Sequence, residues 1–167
     1  MFKYKEPKDY RNIHEFMDEY GSEIYKGEVK EGYMMEAVCD FMLEMATSDL
    51  RAATSQLKRL YMHLLKYKYQ KERQSRSWIN IIRDSSSELD DALSVKSLAN
   101  KIDLDCQILL YQNARRYAAA ETGLPEKVFP KELPDEFNIE NIRDTNYIEQ
   151  YLRLYVYSNN AKKELGI

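Results

Sequence analysis

Tyr61-Met-His-Leu-Leu-Lys-Tyr-Lys-Tyr-Gln-Lys-Glu-Arg-Gln-Ser-Arg-Ser-Trp-Ile-Asn-Ile-Ile-Arg83 decides how this chain folds. Its first third ends an apolar helical stripe, its middle is polar, and its last third opens a second stripe. Upstream, Met34, Val38, Phe41, Met42, Met45, Leu50, Ala53, Leu57, Leu60 and Leu64 recur at helical spacing. One long helix is predicted from Tyr33 to about Lys68. Such a length is more than twice the mean helix, and hydroxyl side chains compete for backbone bonds, so a bend is expected near Thr47-Ser48. Gln70 to Gln74 turns the chain. Ser75 or Ser77 then caps a helix carrying Trp78, Ile81, Ile82 and Leu89.

Further along, Ser94 or Ser97 opens a helix whose apolar positions run from Leu98 through Ile102, Cys106, Leu109, Leu110 and Ala114 to Ala118. Thr122-Gly123-Leu124-Pro125 ends it, with Gly for a left-handed cap and Pro just beyond. Pro125, Pro130 and Pro134 mark a loop. Asn138 to Asp144 reads as a short helix and Tyr147 to Val156 as a Tyr-rich one. In the other direction, Asp9 caps a helix carrying Tyr10, Ile13, Phe16 and Tyr20, and Gly21, Gly27 and Gly32 turn the chain after it. No alternating pattern argues for a strand. The expected fold is all-α: a compact bundle of four to five main helices with a helical C-terminal extension.

The 167 residues, 44% of them hydrophobic, suit one domain with a real core, and 5 Gly and 4 Pro are too few for a chain of short strands and turns. Cys39 and Cys106 lie in apolar helical stretches, which suggests buried thiols in a reducing compartment rather than a disulfide framework. No apolar run reaches the roughly 20 residues that span a bilayer. The N-terminal residues lack the apolar core of a signal peptide. A cytoplasmic protein without a membrane partner is expected.

Charge is distributed unevenly. From Glu15 to Asp49, ten acidic residues stand against Lys26 and Lys30, a net of −8; from Lys58 to Arg83, eight cations stand against Glu72, a net of +7. The two stretches either neutralise each other within the fold or steer a charged partner.

The basic stretch carries a resemblance. His63-Leu-Leu-Lys-Tyr-Lys-Tyr-Gln, Glu72-Arg73, Ser75-Arg-Ser-Trp78 and Ile82-Arg83 resemble a bacterial family known as "domain of unknown function 29". Tyr117-Ala-Ala-Ala-Glu-Thr-Gly-Leu124 followed by Phe129-Pro130 fits a second block of that family, and Met45-Ala-Thr-Ser-Asp-Leu-Arg51 a weaker third. The likeness covers about residues 34–144 of a single domain spanning 1–167, and the extension 145–167 is unlike the family. Phe16 stands where the family usually has a Trp. The resemblance implies a compact helical bundle and supplies no catalytic residues.

No metal-ligand spacing, phosphate-cradling Gly loop or nucleophile elbow is present, and no metal or other cofactor is expected. The sequence argues more against an enzyme than for one. His63 reads as a general base acting on a phosphodiester held by Arg73, Arg76 and Arg83, or as a helix histidine bonded to a carboxylate or carbonyl. The arginines are in turn either phosphate ligands or helix braces paired with Glu72, Glu88, Asp90 or Glu121. Tyr147, Tyr151 and Tyr155 share one helical face, which serves either a core or a docking surface. The expected function is that of a non-catalytic helical binding protein, like an antitoxin or immunity protein. It would grip a cognate protein, such as a basic toxin or nuclease, with Tyr147, Tyr151, Tyr155, Glu28, Glu31 and Glu36. The alternative is an RNA- or nucleotide-binding protein, or a nuclease, using segment 58–83. Net acidity weighs against general nucleic-acid binding.

Overall fold

Helix α1 spans Tyr33–Tyr69, 37 residues without interruption. The computed structural model describes residues 33–157 and positions 160, 163 and 166, with side chains from Met45 onward. The expected N-terminal helix after Asp9, with Glu28 and Glu31, lies outside the described residues. The helix does not break at Thr47-Ser48. Neither Pro nor Gly interrupts the ladder, and the nearby Thr54 hydroxyl returns its bond to the Leu50 carbonyl at 2.9 Å without opening the helix. The chain forms two compact units, 1–49 and 50–167. Of the first, the structure describes the helical backbone from Tyr33 onward, on which Glu36 and Cys39 lie, and the side chains of residues 45–49.

The second unit is a helical bundle, and no strand occurs among the described residues. After a 3-10 turn at Lys71–Arg73 come α2 (Arg76–Leu93), α3 (Lys96–Lys101), α4 (Leu104–Thr122), α5 (Ile139–Ile142) and α6 (Thr145–Leu154). Ser75 caps α2, its hydroxyl accepting from the Trp78 N–H at 3.2 Å. Gly123 ends α4 with φ of 71°, its N–H donating to the Ala119 carbonyl at 3.0 Å. Asn138 and Asp144 cap α5 and α6.

One expected helix is two. The chain breaks at Ile102-Asp103 because the Asp103 carboxylate accepts from the Cys106 N–H at 2.9 Å and opens a fresh helix. The Gln107 side-chain amide donates to the Ile102 carbonyl at 3.1 Å, satisfying an acceptor that the break leaves inside the protein.

The core lies along the second half of α1, where Leu57, Leu60, Tyr61, Leu64 and Leu65 are fully buried beside Ile79, Ile82 and Leu89 of α2. Tyr111, Ala114 and Ala118 of α4 and Ile148 and Leu152 of α6 join the same cluster. Aromatic rings fill its centre. Tyr61 meets Tyr111 edge-on at 5.7 Å and stacks near Phe137 at 6.2 Å, and Phe137 approaches Tyr151 at 6.0 Å. The tyrosine hydroxyls reach backbone carbonyls on other elements: Tyr67 to Leu152 at 2.9 Å, Tyr111 to Pro130 at 2.7 Å, and Tyr151 to Leu64 at 3.0 Å. Tyr67, Tyr111 and Tyr151 thus serve the interior, their rings supplying apolar area and their hydroxyls tying one element to another.

Candidate functional site

Lys66 is the pivot of the basic segment. Its side chain is 8% exposed, and the ammonium donates to Glu121 Oε2 at 2.6 Å. It also sits 4.6 Å from the centre of the Trp78 ring. One cation therefore joins the end of α1 to the end of α4 and to the first turn of α2. One turn away, the Gln70 amide donates to the Thr122 carbonyl at 3.2 Å. Ser75 fixes the turn that presents Trp78.

His63 lies one turn before Lys66 and is 5% exposed. Its Nδ1 is 2.9 Å from the Arg59 carbonyl oxygen. A carbonyl only accepts, so Nδ1 carries the proton and Nε2 is the basic nitrogen. Burial holds the imidazole below its ordinary value, against the opposing pull of the Arg59 carbonyl. His63 is neutral at pH 7 and positioned by its own helix.

Lys68 and Gln74 complete the bracing. Lys68 pairs with Glu136, which also accepts from the Tyr155 hydroxyl at 3.1 Å. Burial alone would lower the Lys68 ammonium, but the bonds to Glu136 and Tyr155 outweigh it and hold it above its ordinary value. The Gln74 amide nitrogen donates to the Tyr67 carbonyl at 2.8 Å and the Tyr155 carbonyl at 2.6 Å, while its oxygen accepts from the Tyr157 N–H at 3.1 Å.

The candidate phosphate ligands lie on three successive elements: His63 on α1, Arg73 on the 3-10 turn, and Arg76 and Arg83 on α2. Arg83 is locked in a two-pronged pair with Glu149 of α6, at 2.5 and 2.8 Å. The guanidinium in turn holds the Glu149 carboxyl below its ordinary value. The pair lines a cleft of about 280 Å³ together with Ser86, Ser87 and Thr145, and His63 does not line it. Arg73 and Arg76 are exposed on the 3-10 turn and the first turn of α2. The expected carboxylate partners also differ: Glu121 takes Lys66, Asp90 takes Arg143 at 2.7 Å, and Glu88 accepts from Gln56.

The tyrosine face points inward. Tyr151 is 4% exposed, and the half-buried Tyr147 and Tyr155 direct their hydroxyls to the carbonyl and carboxylate of Glu136. Packing against α1 and Phe137 removes Tyr151 from the exterior, while Tyr147 and Tyr155 remain half-buried. Glu36 lies on α1 in the first unit. Cys106 is a half-buried free thiol, raised by burial above its ordinary value. Among the described residues no three His, Cys, Asp or Glu side chains gather as metal ligands. No described helix is long and apolar enough to cross a membrane. Lys66, Glu136 and Gln74 were not singled out from sequence. Their spacing within a polar run carries no sign of which distant residue each will meet.

The profile of the family described as "Domain of unknown function DUF29" matches residues 34–148, more than half of the chain. The chain belongs to this family. A search of curated proteins finds no match, and a search of solved structures finds none either. The DUF29 match runs four residues past Asp144, into the first turn of α6. Inside it, the family-like blocks meet in space. His63-Leu-Leu-Lys66, Ser75 to Trp78, and Glu121-Thr-Gly come together at the Lys66 pivot. Phe129-Pro130 receives the Tyr69 ring at 5.6 Å and the Tyr111 hydroxyl at 2.7 Å. In this chain the DUF29 blocks therefore mark the joints between helices.

Proposed function

We propose that the chain is a non-catalytic helical binding protein, which neutralises or regulates a cognate protein in the manner of an antitoxin or immunity protein. One observation carries the reading. Two cations of the basic segment are committed to internal bonds: Lys66 to Glu121 and Trp78, and Arg83 to Glu149. The stretch from Glu15 to Asp49, with its net charge of −8, supplies complementarity and fast association toward a basic partner such as a nuclease.

The experiment is affinity capture with the full chain from its native host, followed by purification of the captured protein. Adding the chain must inhibit that protein's activity, and a variant with Glu28, Glu31 and Glu36 changed to Lys must not. Capture of nothing specific, or inhibition unchanged by the charge reversal, refutes the proposal.

The second reading, an RNA-binding surface on segment 58–83, is favoured by the exposure of Lys71, Arg73 and Arg76. Labelled RNA titrated at several salt concentrations separates the two. Binding that weakens steeply with salt and is lost on Arg73→Ala with Arg76→Ala selects RNA.

A further inference from the structure

The outer face of α4 carries apolar side chains in place of polar ones. Leu104 is 61% exposed and Ile108 40% exposed, and they lie four residues apart on one face. Leu133 and Pro134 of the loop that precedes α5 stand opposite, leaving a groove of about 360 Å³. The amides nearby are already occupied: Gln107 donates to the Ile102 carbonyl and Gln112 to the Lys131 carbonyl. The groove therefore joins the carbon surface of Leu104, Ile108, Leu133 and Pro134 to a polar edge that includes Asn138.

Its rim is charged with one sign. Glu132 and Asp135 line it, and no Lys, Arg or His does. Both are exposed, and neither side chain has an ion-pair or hydrogen-bond partner among the described residues. Glu132 and Asp135 are thus carboxylates without a counter-charge at the edge of the groove.

We propose that this groove docks a short basic amphipathic segment of another protein. Two or three aliphatic side chains would enter between Leu104, Ile108, Leu133 and Pro134, with Lys or Arg reaching Glu132 and Asp135. The apolar walls select aliphatic anchors at helical spacing. The unpaired carboxylates favour a cationic ligand and reject an acidic one. The volume lies at the low end of ligand pockets, roughly 300–1,000 Å³. The inference goes beyond the proposed function, because it concerns α4 and not the acidic stretch 15–49.

The test titrates the ¹⁵N-labelled full chain with a synthetic helical peptide of Leu at every third and fourth position and Lys elsewhere. Its analogue with Glu for Lys is the control. Amide shifts are expected within 104–112 and 132–138 with the Lys peptide and not with the Glu peptide. Glu132→Lys with Asp135→Lys, at exposed positions that leave the fold intact, is expected to weaken binding at least about tenfold and to admit the Glu peptide. Ile108→Asp is expected to abolish binding while Glu132 and Asp135 remain. No shifts at millimolar peptide, shifts confined to the acidic stretch 15–49, or affinity unchanged by the double reversal would each overturn the proposal. Those outcomes leave the capture experiment above unaffected.

Discussion

Removing the exposed partner of the Lys66–Glu121 pair is expected to cost more than replacing the buried one. Lys66 is 8% exposed and Glu121 46%, with 2.6 Å between their charged atoms. Lys66→Met keeps the aliphatic stem and leaves behind a carboxylate that water already reaches. The loss is the charge-assisted bond and the contact with Trp78, offset by relief of the buried charge, about 1 kcal/mol in all. Glu121→Ala leaves the ammonium inside with only the Trp78 face. Breaking a fully buried pair costs about 3–5 kcal/mol, and half-exposure of Glu121 brings this down to about 2–3 kcal/mol. The double variant should resemble Lys66→Met, a coupling of about 2–3 kcal/mol. Urea unfolding followed at Trp78, the single Trp, reports on this joint. With a slope of about 1–3 kcal/mol per molar urea, Glu121→Ala should lower the midpoint by roughly 1 M. Equal costs for the two single variants, or a coupling below about 0.5 kcal/mol, would refute the brace.

Three further outcomes follow from named contacts. His63 is held below its ordinary value of 6.5, so the folded state resists its protonation. Its contribution is complete above pH 6.5 and is lost as pH falls toward the lowered folded value. Unfolding between pH 7 and 5 should show a slope of at most about 1.4 kcal/mol per pH unit that His63→Gln removes. Tyr151→Phe gives up the bond to the Leu64 carbonyl and should cost about 1 kcal/mol by thermal melting. By contrast, Tyr61→Phe should be neutral or stabilising, because the buried Tyr61 hydroxyl has no partner among the described residues. Gly123→Ala should cost about 1 kcal/mol in the same assay: an added Cβ meets nothing within 4 Å, so the positive φ of 71° is the only penalty.

The helices of the second unit were legible because they are encoded locally. Periodicity placed α1, α2 and α4, and Ser75, Gly123 and Asn138 marked ends that the structure uses. The split at Asp103 was missed because an acidic residue beside a continuing apolar stripe reads as surface until its carboxylate is seen on the Cys106 N–H. The direction of the tyrosine stripe was not legible either. A Tyr every fourth residue satisfies a core and a docking face equally, and only the approach of Leu64 and Phe137 decides between them.

From order and spacing alone came the all-α class, the helix ends at Ser75 and Gly123, and the DUF29 membership, because each depends on residues within a few turns of one another or on motifs in fixed succession. Tertiary structure alone decided which cations are bonded. Lys66 and Glu121 stand 55 positions apart, and Arg83 and Glu149 stand 66 apart. A cation written in a polar run looks the same whether it faces water or a distant carboxylate. The choice is made only when the helices pack, because burial makes a nearby opposite charge the ammonium's or guanidinium's best available solvent.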